Sequence, residues 1–120
     1  MDKHYRFLEV ESVNGIATIT LRRTRFAEPE IIELTEEILQ AAKDRSAPRV
    51  ILDFEGKSPQ CLYSIFLAKL VSIQRKLTAM NGGLRLCNCN SEVQDIFKAC
   101  CLDQLFDMRG DCENPEQGWD

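Results

Sequence analysis

Histidine is almost absent: His4 is the only one in 120 residues. A nucleophilic pair needs an imidazole or equivalent base beside its serine or cysteine, and the sequence places no such partner near His4. The chain also lacks a glycine-rich phosphate loop. Gly82-Gly83 follows a helical stretch instead of opening one. No run approaches the ~18 apolar residues of a membrane span. Base is not in excess either. Fifteen Lys and Arg stand against 19 Asp and Glu, for a net charge of −4 and a pI near 5.1. That balance argues against nucleic acid and anionic membranes as general partners, since phosphate surfaces select positive ones. The opening Met1-Asp2-Lys3-His4-Tyr5 has no apolar core of an export signal. The expectation is a cytoplasmic protein without membrane insertion.

What is present is an ordinary globular balance, with 44% hydrophobic and 28% charged residues. A single domain of this size buries about two-thirds of its unfolded surface. The six cysteines are Cys61, Cys87, Cys89, Cys100, Cys101 and Cys112. An even count is compatible with disulfides, but the expected compartment argues against them. Structural zinc usually shows two Cys-x-x-Cys pairs, whereas the spacings here are Cys87-Asn88-Cys89 and Cys100-Cys101. The first reading is thiols packed as small hydrophobes. A metal or redox cluster of Cys87, Cys89, Cys100 and Cys101 is kept as a third functional reading. No cofactor is expected.

Along the chain, residues 4–21 read as a β-hairpin turned by Asn14-Gly15, a pair suited to positive φ. In the second arm Ala17, Ile19 and Leu21 alternate inward, with Thr18 and Thr20 outward. The first arm, with Phe7 and Leu8 adjacent, suggests a bulge or an edge strand. Arg22-Arg23-Thr24-Arg25 reads as a solvated basic turn. A helix starts at Pro29, between Glu28 and Glu30, and buries Ile31, Leu34, Ile38 and Ala42. Thr35, Glu36 and Glu37 are expected outward. A strand over 49–54 is apolar enough to be covered on both faces. After the strand over 84–87, Asn90 or Ser91 starts another helix, and Ser91 and Gln94 fit a capping box. The helix that follows is expected to bury Val93, Ile96, Phe97 and Cys100. Residues 102–106 suggest a short last strand. The acidic segment 110–120 is expected to be a flexible tail behind a body spanning 1–109.

The stretch from Asp53 to Met80 organises the rest. A strand runs into a loop over 55–63, then into a helix over 64–80 whose face carries Phe66, Leu70, Ile73, Leu77 and Met80. Strand-to-helix junctions of this kind hold the sites of α/β proteins. Asp53 and Glu55 are two apart and would share a side of a regular strand, but two carboxylates alone specify no reaction. Ser64 stands at the helix start. As an ordinary cap it accepts a backbone N–H; as a switch it carries a phosphate favoured by the helix dipole.

Taken together, residues 5–108 resemble a STAS domain, the fold of anti-sigma factor antagonists and of sulfate-transporter cytoplasmic domains. Val50-Ile51-Leu52-Asp53-Phe54 looks like the family's central strand, and Phe66-Leu67-Ala68-Lys69-Leu70 like the start of its signature helix. Asn81-Gly82-Gly83-Leu84-Arg85-Leu86 looks like its Gly-Gly turn, and residues 91–97 and 102–106 like its last helix and closing segment. The resemblance implies an α/β fold: a mixed sheet of about five strands with an N-terminal hairpin and about three packed helices. It implies binding without catalysis, with an anti-sigma factor/serine kinase or another signalling protein as partner, and a possible homodimer. The family's Asp-Ser-Ser-Gly motif falls either on Ser64-Ile65-Phe66-Leu67 or on Tyr63-Ser64-Ile65-Phe66, and in both registers its acid and glycine are missing. Ser64 is the phosphorylation candidate. Lys57, Ser58, Gln60, Leu62, Tyr63, Ser64, Ile65 and Lys69 are the expected partner contacts. The alternative is a STAS scaffold, or an accessory subunit of a signalling or transport complex, with no switch.

Overall fold

Eight elements follow one another as β1 (Leu8–Val13), β2 (Ile16–Leu21), α1 (Glu28–Asp44), β3 (Arg49–Asp53), α2 (Ser64–Ala79), β4 (Gly83–Cys87), α3 (Ser91–Ala99) and β5 (Asp107–Met108). The computed structural model describes residues 5–60, 64–113, 115 and 119, with Ser64 through its backbone. The strands form one sheet in the order β1-β2-β3-β4-β5; β1 runs antiparallel to β2 and the remaining pairs are parallel. The expected mixed α/β architecture of five strands and three helices is the one observed. Asn14 and Gly15 take φ of 53° and 76°, the left-handed values that a two-residue hairpin turn requires.

The helices share one face of the sheet. Ile31, Leu34 and Ile38 of α1, Phe66, Leu70, Ile73 and Leu77 of α2, and Val93 and Phe97 of α3 meet Ile19, Val50, Leu52, Leu84 and Leu86 in a single apolar cluster. Alternate residues of each strand serve this face, as the period of two demands. Of the two forms expected for the first arm, the edge strand is the one observed, and three other details differ from the sequence reading. Phe7 and Leu8 are both fully buried, yet β1 pairs regularly from Leu8 to Val13 without a bulge. Phe7 precedes the strand and packs edge-on against Phe26. Thr35 is buried, and its hydroxyl donates to the Ile32 carbonyl at 2.8 Å, so burial leaves no polar group unmet. Met80 and Cys100 are exposed, because each apolar stripe ends one turn earlier, at Leu77 and Phe97. Residues 102–106 form turns, and pairing begins only at Asp107. Phe106 is drawn onto Phe97, ring centroids 5.7 Å apart, so that stretch serves α3 before the chain joins the sheet.

Among the described residues, no helix covers the second face of the sheet. Ile16, Ile51 and Cys87 are covered there by Cys112 and Trp119. Arg85, only 2% exposed, points to the same side. Its Nε donates to Asp107 at 3.1 Å, its Nη1 donates to the Pro115 carbonyl at 3.1 Å, and its guanidinium stacks 4.3 Å from the Trp119 ring centroid. Cys87 and Cys112 form a disulfide across a Cα separation of 5.3 Å and 25 residues of sequence. This corrects the reading of these two as simple packing thiols. That reading rested on compartment, and nothing local in the sequence announces that Cys112 returns to the end of β4.

Candidate functional site

Because β2, β3 and β4 are parallel, their carboxyl ends lie on one edge, where α1, α2 and α3 begin. Ligand and partner sites of open α/β sheets gather at such an edge. Here the edge is built around Asp53. Its half-buried carboxylate accepts from the Glu55 amide at 2.7 Å and from Asn88 Nδ2 at 2.9 Å. Glu55 and Gly56 take φ of 55° and 73°, and Lys57 N donates to Phe54 O at 2.9 Å, which makes residues 54–57 a tight turn of the I′ kind. Gly56 N donates to Asn88 O at 2.9 Å, joining this turn to the loop after β4. Asp53 and Glu55 therefore do separate structural work. Asp53 anchors the loop, and exposed Glu55 lies 3.8 Å from Lys57 Nζ.

Asn90 makes the second tie. Its Oδ1 accepts from Val93 N at 2.9 Å and caps α3, while its Nδ2 donates to Gly56 O at 3.1 Å and to Ser58 Oγ at 2.8 Å. The cap is thus Asn90 and not Ser91, and Gln94 reaches back to the Cys89 carbonyl at 2.9 Å instead of closing a box on serine. Further along, Gln60 N donates to Thr24 O at 2.5 Å, and Gln60 bridges Arg25. The basic turn after β2 is therefore the outer wall of the same loop. Asn90→Ala is expected to cost about 2 kcal/mol, from the lost cap and two lost donor bonds. Asn90→Asp keeps the acceptor and loses the donors. Hydrogen exchange is expected to show α3 intact but residues 56–60 loosened in the Asp variant, and both loosened in the Ala variant.

Of the expected partner contacts, Lys57, Gln60 and Lys69 are exposed, Ser58 is half-buried behind Asn90, and Ile65 is half-buried against the main core. Leu62 and Tyr63 lie outside the described residues, as does Cys61. Ser64 is the first residue of α2. In either register the motif's glycine position is a core residue: Phe66 is fully buried and Leu67 is 5% exposed. The sequence reading missed Asn88, Asn90 and Thr24 as the ties of this loop. Only Asn90 carried a signal, its preference for helix caps.

The cysteines do not converge as Cys87, Cys89, Cys100 and Cys101. Cys100 and Cys101 are exposed, and Cys89 is buried. Burial, with the Asp53 carboxylate nearby, pushes the Cys89 thiol up to about 11, which holds it protonated and unreactive at neutral pH. Among the described residues, the only grouping of metal-ligand side chains is Asp53, Cys87 and Cys112, within 4.8 Å of one another. The disulfide uses both of its sulfurs. No helix among the described residues is long and apolar enough to cross a membrane.

No family model and no curated protein matches the chain in sequence. Solved structures do match it in shape. The protein TM1081 of Thermotoga maritima superposes with a TM-score of 0.76 at 11% identity, over 99% of this chain and 93% of that one. An anti-sigma-factor antagonist (STAS) domain protein from Planctomyces limnophilus gives 0.67 at 20% identity, over 85% and 88%. The anti-sigma factor antagonist SpoIIAA in its unphosphorylated form gives 0.65 at 19% identity, over 84% and 86%. The fold is that of STAS domains.

Proposed function

We propose that this chain is a regulatory, non-catalytic protein-binding module that engages an anti-sigma factor/serine kinase through residues 57–65 and Lys69, and that phosphate on Ser64 switches the contact off. The observation that supports the reading is the STAS fold with a serine as the first residue of α2, at the carboxyl edge of the sheet. The described start of the loop ahead of it, through Ser58, is tied by Asp53, Asn88 and Asn90, which lowers the cost of presenting that part to a partner. The first turn of α2 holds no acidic residue. A phosphate there gains the free amides and the helix dipole of its own chain. Toward a partner it adds nearly two negative charges that must be desolvated on docking.

The test is capture of the tagged protein from its own cells, with mass spectrometry of the partners and of Ser64. Ser64→Asp is expected to weaken binding to the captured partner at least tenfold, roughly 1.4 kcal/mol, and Ser64→Ala to preserve it. Equal binding by both variants overturns the switch. A second reading, the unswitched scaffold, draws on one specific observation: Phe66 and Leu67 fill the core where the family motif ends in glycine. A stoichiometric partner with Ser64 always bare selects that reading.

A further inference from the structure

We propose that Cys87–Cys112 is a reversible thiol–disulfide switch: oxidised, it holds the carboxy-terminal segment on the second sheet face and steadies the loop at the carboxyl edge, and reduction frees both. Three observations converge on this pair. First, the disulfide is peripheral to what folds the domain. The main apolar cluster, with all three helices, lies on the opposite face and contains neither cysteine. Breaking the bond therefore leaves the body folded. Second, what the bond holds is a short strap. Beyond it, Trp119 stacks on Arg85, Trp119 Nε1 donates to Pro115 O at 2.6 Å, and Arg49 reaches the Trp119 carbonyl at 3.4 Å. Among the described residues beyond Cys112, Pro115 and Trp119 supply these contacts, and a short terminal strap held this way is the kind of unit that opens locally.

Third, the pair is wired to the candidate site. Asn88 Nδ2 donates to Cys112 Sγ at 3.4 Å and to Asp53 Oδ1 at 2.9 Å. Asn88 sits at a φ of 52°, and its carbonyl accepts from Gly56 N. The strap, Asn88, Asp53 and the 54–57 turn thus form one continuous hydrogen-bonded path. When Cys112 leaves, Asn88 loses one of the contacts that hold it in a left-handed conformation, and the turn loses stiffness with it.

The chemistry is thiol–disulfide exchange with a dithiol reductant. Cys87 is fully buried and Cys112 only half-buried, so the incoming thiolate attacks Cys112 Sγ. A mixed disulfide forms on Cys112, and Cys87 leaves as a thiolate and takes a proton. The second thiol of the reductant then attacks its own sulfur in the mixed disulfide and releases Cys112. The protein gains two electrons and two protons, and the dithiol becomes a cyclic disulfide. Reoxidation by a glutathione disulfide reverses the balance.

The experiment uses the full chain alone, so its outcome is independent of whether an anti-sigma partner exists. The protein is equilibrated in reduced and oxidised dithiothreitol and in oxidised glutathione, with the bond counted by alkylation and mass spectrometry. Trp119 is the sole tryptophan, so its quenching by acrylamide reads the strap directly. Reduction is expected to raise that quenching at least twofold and to speed amide exchange at least tenfold at residues 109–113 and at Gly56, with β1, β2 and α1 unchanged. Cys112→Ser is expected to show the reduced behaviour in every buffer, and the Cys100→Ser/Cys101→Ser double variant to switch like the parent. Four results each overturn the proposal: a pair that stays reduced in oxidised glutathione, Trp119 quenching indifferent to reduction, global unfolding on reduction, or a reduced protein whose strap is held by a metal ion on Asp53, Cys87 and Cys112.

Discussion

Phe66→Ala is expected to lower the melting temperature by about 12–20 °C, a loss of roughly 3–5 kcal/mol for a fully buried aromatic truncated to methyl. Phe66 is 0% exposed and belongs to the cluster that joins α2 to the sheet and to α1 and α3. It lies in the first turn of α2 and packs in a cluster whose other members, Leu34, Leu52 and Leu70 among them, are themselves fully buried and held by separate elements. The cavity term should therefore be near its full size. Set against a domain stability of ~5–15 kcal/mol, such a loss approaches the unfolding threshold. Ile65→Ala, at a half-buried position, is expected to cost only about 1 kcal/mol. Phe66→Leu should recover much of the loss by refilling the volume. Thermal and urea unfolding followed by circular dichroism decide the matter. A cost for Phe66→Ala below about 1.5 kcal/mol would show that the first turn tolerates a small residue there, as a Gly-ending motif requires. It would then remove the packing argument for an unswitched scaffold.

Sequence and site part company at this helix. Phe66, Leu70, Ile73 and Leu77 were legible as a core stripe from their spacing, and all four are buried together. The hairpin, α1 and β3 were legible for the same reason, since period and turn chemistry are local. The mixed five-strand sheet was legible because a hairpin is followed by alternating strands and helices. The site was not legible at the same level. Its loop is held by Asn88, Asn90 and Thr24, which lie some 30 residues on either side of it in sequence, as the hydrogen bonds from Asn90 to Ser58 (32 apart) and Asn88 to Asp53 (35 apart) make plain. Asparagine has no period, and its role appears only when two loops meet.

The cover of the second sheet face failed to show for a different reason. Ile51 reads as a residue of a doubly buried strand, and it is one, yet no amphipathic helix is left over to bury it. The cover comes from Cys112 and Trp119 in an acidic segment whose composition suggests disorder. A composition argument averages over that segment, while two of its side chains supply the contact. Arg85 is buried on the same face, its charge met by Asp107, Pro115 and the Trp119 ring. Burial of an arginine is tolerable when every donor direction finds an acceptor or a π face.

Gly82→Ala is expected to cost about 3 kcal/mol, the upper end of the range for overpacking, whereas Gly83→Ala next to it should stay within about 1 kcal/mol. From sequence, Asn81-Gly82-Gly83 is a helix stop, and a glycine is the natural choice for the left-handed residue of such a stop. The structure gives that task to Asn81, at a φ of 64°. Asn81 N donates to Thr78 O at 3.1 Å and Gly82 N to Leu77 O at 2.8 Å, the paired bonds of a Schellman ending. Gly82 is needed for space. A Cβ there would overlap the carbonyl of Pro48, a backbone atom that has no rotamer to yield. The same carbonyl accepts from Gly83 N at 3.0 Å, so moving it apart breaks the bond that brings β4 into register beside β3. At Gly83 an added Cβ meets Gln74 Oε1 at 3.5 Å and Trp119 Cζ3 at 3.7 Å, ordinary contact distances. Two adjacent glycines thus separate conformational from steric need in one pair of melting curves. If the two alanine variants melt together, close approach to Pro48 is not what requires glycine, and the register of β3 and β4 does not hinge on this point.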